Sequence, residues 1–216
     1  KMEILRLLGQ WATADGVSAP VAIGFEGPPG VGKTTFARAA LATTLRRPFC
    51  FISLGGANDG TLIWGHSYTY EGSVPGRIVE ELSRAGCMDP VFYFDELDKV
   101  SKSTRGDEII HALIHLTDPQ QNCDFRDRYL QGIPLDLSRA VFAFSFNDRS
   151  AINPILCDRL KIVHCKPPDV QQKLEIAKQF LLPRSIGAIG NQDIARFDDD
   201  VLRHLAVRSP EAGVRE

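Results

Sequence analysis

Short apolar runs alternate along this chain with longer segments in which apolar residues recur at helical spacing. A short continuous apolar run is typical of a strand that is buried on both faces of a parallel sheet. Strands that alternate with helices favour an α/β fold. We therefore predict five parallel strands near residues 21–26, 49–53, 91–95, 140–146 and 161–164. The predicted helices cover 33–46, 75–86, 107–117 and a short segment near 153–158, after an amphipathic lead-in helix over 2–12.

The pattern changes after the fifth predicted strand. Pro167 and Pro168 interrupt it, and Asp169 is placed to cap an amphipathic helix over 170–182 that Pro183 would end. A second, smaller domain is therefore predicted to begin here.

The rest of this smaller domain predicts a loop and one more helix. Gly187 and Gly190 lie in the predicted loop, and the three aspartates at 198–200 would cap the helix that follows. The sequence stops where a further helix should begin, so we expect the small domain to be incomplete. The predicted domains are an α/β domain over 1–167 and a small helical domain over 168–216.

A complete phosphate-loop motif, Gly-x-x-x-x-Gly-Lys-Thr, connects the first predicted strand to the first predicted helix, which is the context this motif requires. Backbone N–H groups at the helix N-terminus would hold phosphates, Lys33 would reach the β- and γ-phosphates, and the Thr34 hydroxyl would bind Mg²⁺. The alternative is a glycine-rich turn that happens to contain Lys-Thr. The predicted nucleotide-binding residues of this segment are Gly27, Pro28, Pro29, Gly30, Val31, Gly32, Lys33, Thr34 and Thr35.

An acidic pair closes the third predicted strand. Asp95 and Glu96 follow the apolar run over 91–94, and the carboxyl ends of strands in open parallel sheets face the ligand crevice. Asp95 would bind both the nucleotide and Mg²⁺, the ion through its water shell, and Glu96 would orient and deprotonate the attacking water. The alternative is a pair of solvated turn residues. Together with the phosphate loop, the pair predicts hydrolysis of a nucleoside triphosphate.

Composition and charge narrow the class of protein. The 216 residues are 44% hydrophobic and 24% charged, as in ordinary globular proteins. No apolar run approaches the roughly 20 residues that cross a bilayer, and a net charge of −2 gives no overall basic field for nucleic acid. A membrane partner and a nucleic-acid partner are therefore disfavoured.

The five cysteines are scattered and include no Cys-x-x-Cys pair, which argues against a disulfide framework and a zinc site. We expect buried or half-buried free thiols in a reducing compartment, the cytoplasm or the mitochondrial matrix. The cysteines are Cys50, Cys87, Cys123, Cys157 and Cys165.

A set of short segments spread over nearly the whole chain carries a family resemblance. The segments are 27–34, 52–56, 65–66, 69–70, 75–78, 95–99, 106–107, 118–122, 125–127, 136–138, 158–159, 173–177 and 211–215. Phosphate loops are common to many NTPases, whereas Asp-Pro-Gln-Gln-Asn at 118–122 and Glu-Ala-Gly-Val-Arg at 211–215 are much narrower signals. Together these segments resemble the AAA+ ATPase module of the Lon family of ATP-dependent serine proteases.

The resemblance implies roles for three more residues. Asn147 matches the sensor-1 position and would help to position the water, the alternative being a turn-forming Asn. Arg159 matches the arginine finger, which would offset charge at a neighbouring subunit's nucleotide, the alternative being a surface ion pair. Arg215 matches sensor 2, which would bind at the γ-phosphate and couple its loss to lid rotation. Glu96, Asn147 and Arg159 are thus the predicted catalytic residues.

Tyr70 and Glu71 occupy the place of the family's substrate-gripping pore loop. The family has an aromatic residue, an apolar residue and Gly there, whereas the middle position of this chain is acidic. Tyr70 would press on a threaded polypeptide through its ring, and Glu71 would line the pore with carboxylates. The alternative is a turn-forming Tyr-x-Gly without a substrate role.

The resemblance also implies a fold and a function. The fold is a five-stranded parallel P-loop AAA+ sheet flanked by helices, with a small C-terminal helical lid domain. The function is that of an ATPase motor, with ATP and Mg²⁺, whose hexameric ring of identical chains unfolds protein substrates and threads them into a proteolytic chamber. The alternative is an AAA+ chaperone or remodelling ATPase without a protease. The family's Ser-Lys protease domain is not among these residues, and no serine has the context of a hydrolase nucleophile.

Overall fold

A computed structural model describes residues 22–57, 59–69, 71–101, 103–189, 199–208 and 213. The described residues form two compact units, which divide between Glu26 and Gly27, between Lys33 and Thr34, and between His164 and Cys165. The domain boundary at 167/168 stays a prediction.

The larger unit is built on a five-stranded parallel sheet. Its strands are β1 (Ala22–Glu26), β2 (Phe49–Ser53), β3 (Val91–Asp95), β6 (Val141–Phe146) and β7 (Lys161–His164). The spatial order is β2-β3-β6-β1-β7, and every neighbouring pair is parallel. The predicted α/β fold is confirmed. A separate antiparallel pair consists of β4 (Phe125–Arg126) and β5 (Pro134–Leu135).

Aromatic side chains fix the central strands against each other. Phe92 stacks on Phe142 with ring centroids 5.8 Å apart, and Phe94 stacks on Phe144 at 5.0 Å. All four rings are fully buried, and burial of this much aromatic surface is a main source of core stability. The stacking holds β3 and β6 in one register, which aligns the polar residues at their carboxyl ends.

Capping residues set the ends of the helices around the sheet. Ser103 Oγ accepts a hydrogen bond from the Gly106 N–H at 3.2 Å, so the helix over 104–117 begins at Thr104 rather than at the predicted residue 107. Gly86 ends the helix over 77–85 in the left-handed conformation, with a φ of 66°. The helices are α1 (Lys33–Ala37, continued by the π-helical Arg38–Thr43), α2 (Thr61–Trp64), α3 (Arg77–Ala85), α4 (Thr104–Thr117) and α5 (Pro154–Arg159).

The smaller unit contains a series of helices, and the first of them begins at a reciprocal cap formed by Asp169 and Gln172. The Gln172 N–H donates to Asp169 Oδ1 at 2.8 Å, and the Asp169 N–H donates to Gln172 Oε1 at 3.2 Å, as in a capping box. The elements that follow are α6 (Val170–Ile176), a π-helical segment (Ala177–Leu181), α7 (Leu182–Ile189) and α8 (Asp199–Arg208). A short helical C-terminal part is therefore present.

Two predictions about this region are wrong. Pro183 does not end the helix but lies in the first turn of α7, and Gly187 lies in the same helix rather than in a loop. Proline normally breaks a helix because its ring clashes with the carbonyl one turn earlier. Here the turn directly before α7 is π-helical, and its i→i+5 hydrogen-bond pattern differs from the α-helical pattern that proline interrupts. The predicted lead-in helix, Gly190 and Asp198 lie outside the described residues.

The five cysteines are free thiols with different exposure. Cys50 and Cys157 are buried, and Cys87 and Cys165 are half-buried, as expected. Cys123 is exposed, because it lies in a 3₁₀ turn over 122–124 whose neighbour Asn122 points into the core instead. Burial raises the pKa of the Cys50 thiol to about 12, so that thiol is not a nucleophile near neutral pH.

Candidate functional site

The loop between β1 and α1 has the conformation that a phosphate loop needs. Gly30 and Gly32 have φ values of 79° and 85°, a left-handed backbone that residues with side chains rarely adopt. Lys33 Nζ donates to the carbonyl oxygens of Gly27 at 2.6 Å and Pro28 at 3.1 Å. The ammonium group is therefore held over its own loop, where the motif requires a cation to meet phosphate.

Backbone from two later segments of the smaller unit packs tightly on this loop. A Cβ on Gly27 would overlap the carbonyl oxygen of Cys165, and a Cβ on Gly213 would overlap the backbone of Gly30. Gly213 is buried and belongs to the segment that carries the predicted sensor 2. Arg215 itself lies outside the described residues.

Thr34 is the second residue of α1, and its hydroxyl contacts the sheet. Thr34 Oγ1 lies 3.2 Å from the phenol oxygen of Tyr93, a hydrogen bond in which either group is able to donate. Tyr93 belongs to β3 and is fully buried. The predicted Mg²⁺ ligand thus hydrogen-bonds to the strand that ends in the acidic pair.

The acidic pair is organised by a buried serine on the neighbouring strand. Phe94 pairs with Phe144, so Asp95 and Ser145 come next on β3 and β6. Ser145 Oγ donates a hydrogen bond to Asp95 Oδ1 and accepts one from the Glu96 N–H at 3.3 Å. Ser145 is only 1% exposed. A single hydroxyl therefore holds the Asp95 carboxylate and the Glu96 backbone in place.

Glu96 adopts a left-handed backbone, with φ 61° and ψ 45°, directly after β3. Non-glycine residues in this region are uncommon and occur at functional sites more than elsewhere. Its carboxylate lies over Gly55, where a Cβ would overlap Glu96 Oε2. Gly55 follows β2, so the absence of a side chain there provides the space that the Glu96 carboxylate occupies.

Asn147 directly follows β6, at the same edge of the sheet. Its backbone N–H donates to Asp98 Oδ2 at 3.2 Å, and its side chain is exposed. Asp98 Oδ1 is buried without a hydrogen-bond partner among the described residues. The structure thus brings Asp95, Glu96 and Asn147 to one edge of the larger unit.

Arg159 lies elsewhere in the larger unit, at the end of α5, and forms an ion pair within its own chain. Arg159 Nη1 lies 3.1 Å from Asp118 Oδ2, with side-chain exposures of 31% and 15%. A hydrogen bond from the Gln120 N–H, and then the Arg159 guanidinium, hold the pKa of Asp118 below its usual value. The pair is therefore charged at neutral pH.

The predicted pore loop is an exposed turn. Glu71 is exposed, and Gly72 has a φ of 80°, which a turn here requires. The His66 N–H donates to the Val74 carbonyl oxygen at 3.1 Å and closes the turn. Tyr70 lies outside the described residues.

A buried carboxylate anchors the base of this loop. Asp127 is 2% exposed, and its two oxygens accept hydrogen bonds of 2.8 Å from the N–H groups of Gly76 and Tyr129. A Cβ on Gly65 would come within 2.9 Å of Asp127 Oδ1. Asp127 thus anchors the loop at Gly76 and lies against Gly65 at its other end, while Glu71 and Gly72 are exposed.

Residues 23–167 match the ATPase family associated with various cellular activities (AAA). This range includes the phosphate loop, the acidic pair after β3, Asn147 and Arg159. The chain belongs to the AAA family. It is therefore an ATPase domain, and the family implies nucleotide binding.

The AAA domain is also similar over most or all of its length to parts of Lon proteases. It is 38% identical to a Lon protease homolog of Acanthamoeba polyphaga mimivirus, with 100% of this chain and 21% of that protein covered. It is 41% identical to Lon protease 2 of Syntrophobacter fumaroxidans, with 100% and 27% covered. Against the peroxisomal Lon protease homolog 2 of Pichia angusta, identity is 39%, with 94% and 22% covered. The predicted resemblance is confirmed, and the AAA domain spans about a quarter of the length of these curated relatives.

The relatives include a peroxisomal protein, so the compartment of the AAA domain stays a prediction. None of the helices in the described part of the chain combines the length and apolar character that a membrane span requires.

Sequence reasoning missed two residues that organise the AAA domain's site. Ser145 supports Asp95 and Glu96 through its hydroxyl, and the Tyr93 hydroxyl forms a hydrogen bond with Thr34. A usable signal was present in both cases, because a polar group inside an otherwise apolar strand needs a hydrogen-bond partner.

Proposed function

We propose that this AAA domain is the ATP-hydrolysing motor of a Lon-like ATP-dependent protease, which unfolds protein substrates and threads them through a hexameric ring. The observation that carries this proposal is the similarity to Lon proteases across the whole chain, at 38% and 41% identity in two examples. The organised carboxylates after β3 support hydrolysis rather than nucleotide binding alone.

The residues of the domain fit ATP and Mg²⁺. Mg²⁺ prefers hard oxygen ligands, and the Thr34 hydroxyl and the Asp95 carboxylate are of that kind. Lys33 and the left-handed glycines suit a chain of phosphates. When bound, Mg²⁺ would supply positive charge that offsets the negative charge developing on the phosphates. In this proposal Thr34 and Asp95 hold the ion, Asp95 through a water.

Glu96 is the proposed general base. Its carboxylate takes a proton from the water whose oxygen attacks the γ-phosphorus, while the bond to the β–γ bridging oxygen breaks and ADP leaves. Asn147 orients the same water, and Lys33 offsets charge on the phosphates. The hydrogen bond from the Glu96 N–H to Ser145 Oγ supports this role, because it fixes the backbone from which the carboxylate extends.

Assembly would complete the site. Arg159 is proposed to act on the nucleotide of a neighbouring subunit, and Arg215 on that of its own. The Arg159 guanidinium is paired with Asp118 of its own chain, so acting on a neighbouring nucleotide requires it to exchange or share this partner. The expected consequence is an ATPase activity that rises with protein concentration as rings form.

The loop over 65–76 is the proposed contact with the threaded polypeptide. Tyr70 would grip through its ring, and a ring of Glu71 carboxylates would favour basic or neutral segments over acidic ones. The exposed tip and the anchored base support this role.

Unfolding by the full-length protein that carries this domain tests the proposal. A stably folded fluorescent reporter with an unstructured tail is mixed with the protein and Mg²⁺, with or without ATP. We expect loss of fluorescence and release of acid-soluble peptides only with ATP, and neither with Lys33→Ala, because that variant should not bind ATP.

The other outcomes separate the alternatives. Loss of fluorescence without peptides would indicate a remodelling ATPase that lacks a protease. ATP hydrolysis without any unfolding would contradict the motor function.

A further inference from the structure

Tyr93 places a polar group inside an otherwise apolar strand. The neighbouring residues of β3, Phe92 and Phe94, are fully buried aromatics, and Tyr93 is fully buried as well. Burying a hydroxyl is costly unless it is hydrogen-bonded. The Tyr93 phenol has such a bond, at 3.2 Å, to Thr34 Oγ1.

The position of the phenol is fixed by its strand and by the neighbouring strand. Tyr93 pairs in register with Phe51 of β2 and stacks on that ring, with centroids 6.0 Å apart. A second contact joins it to Phe49, at 5.5 Å, and the Arg38 guanidinium lies 4.6 Å from the centre of the Phe49 ring. Because two aromatic rings of β2 pack against the Tyr93 ring, Oη is presented to Thr34 from a rigid element.

Thr34 needs such a partner if it binds a cation. A threonine hydroxyl on a helix has more than one accessible orientation, and it carries one hydrogen and two lone pairs. When a lone pair binds a metal ion, the hydrogen must point away from the ion towards an acceptor. Tyr93 Oη is an acceptor within hydrogen-bond distance.

We propose that Tyr93 is a positioning residue that accepts the Thr34 hydroxyl hydrogen and so orients the Thr34 oxygen for Mg²⁺. The inference rests on the proposed function, in which Thr34 binds that ion. It assigns Tyr93 a role that acts through Thr34.

The test measures binding of a non-hydrolysable ATP analogue with excess Mg²⁺ and with EDTA, in the full-length protein. The quantity compared is the Kd in EDTA divided by the Kd in Mg²⁺. Tyr93→Phe keeps the stacked ring and removes only the hydroxyl, so the fold should persist. We expect this ratio to fall about fivefold, the usual effect of one hydrogen bond, while the Kd in EDTA stays unchanged.

Two further variants make the result specific. Tyr129→Phe is the matched control, because it removes a phenol at a 38% exposed position of the β4–β5 connection, and it should leave the ratio unchanged. In a Thr34→Ala background, Tyr93→Phe should have no further effect on the ratio, because Tyr93 acts only through Thr34.

The outcomes distinguish this inference from the function on which it rests. A wild-type protein that binds the analogue equally in Mg²⁺ and EDTA would overturn both the metal role of Thr34 and the role of Tyr93. A wild-type preference for Mg²⁺ that Tyr93→Phe retains in full would overturn the role of Tyr93 alone. An equal effect of Tyr93→Phe with and without Thr34 would do the same.

Discussion

The carboxyl end of β3 and the loop over 65–76 belong to the same compact unit, but they are held in different ways. Asp95 and Glu96 are fixed by a buried hydroxyl on the adjacent strand. The loop is anchored at its base, where Asp127 accepts a hydrogen bond from the Gly76 N–H, and its flank is exposed, with Tyr68 56% and Val74 49% exposed.

The difference matches two kinds of task. Catalysis of phosphoryl transfer depends on groups that are already in position when the transition state forms. A contact with many different polypeptides requires an exposed tip that tolerates variation, on a base that transmits force. Changes at the β3 end should therefore alter ATP turnover, and changes in the loop should alter the handling of protein substrates.

The largest effect is expected for Glu96→Gln. The amide is unable to accept the proton of the attacking water, so turnover should fall by roughly 100-fold or more, while ATP binding persists. Phosphate release and isothermal titration on the same sample measure the two quantities. Glu175→Gln, at an exposed position of α6, is the control. Unchanged turnover in Glu96→Gln would show that another group is the base.

A smaller effect on the same region is expected for Ser145→Ala. The change removes the hydrogen bond to the Asp95 carboxylate and leaves the Glu96 N–H without its acceptor. We therefore expect kcat to fall about tenfold. The KM for ATP should change little, because the phosphate loop is untouched. Ser145→Thr keeps the hydroxyl and should retain most of the activity. Equal loss in both variants would point to packing instead of hydrogen bonding.

Asp127→Asn should act on the loop and spare hydrolysis. The asparagine amide accepts through one oxygen only, so the N–H of Gly76 or of Tyr129 loses its acceptor, which costs about 1 to 3 kcal/mol locally. Hydrogen exchange at Gly76 and Tyr129 should accelerate, while basal ATPase is nearly unchanged. Asp124→Asn, a change at a 55% exposed carboxylate, is the control. Hydrogen exchange at Gly76 and Tyr129 that is as slow in Asp127→Asn as in wild type would contradict the anchoring role.

The strands and the phosphate loop were predictable because their signals are local. Continuous apolar runs such as Val91 to Phe94 fit only buried strands, and the loop residues are defined by spacing alone. The contacts that organise the site are not local. Ser145 meets Asp95 because β6 lies beside β3 in the sheet, and the pattern along the chain does not contain that order.

Other differences between prediction and structure arose where tertiary context overrode a local sequence preference. Pro183 predicts a helix end, but the preceding π-helical turn accommodates it. The β4–β5 pair has two-residue strands, which are too short to produce a periodic signal. The sequence does not show why position 55 is glycine. The position of the Glu96 carboxylate in the structure explains why a side chain is excluded there.

The central claim is that the β3 end governs ATP turnover and the loop over 65–76 governs the handling of protein substrates. The number of ATP molecules hydrolysed per reporter molecule unfolded tests this claim most directly. It is measured in the full-length protein for wild type, Ser145→Ala and Tyr70→Ala. We predict that Ser145→Ala slows hydrolysis and unfolding together and leaves the ratio close to wild type. Tyr70→Ala should keep basal hydrolysis and lose unfolding, so the ratio should rise several-fold. An unchanged ratio in Tyr70→Ala, with hydrolysis and unfolding lost in parallel, would contradict the account.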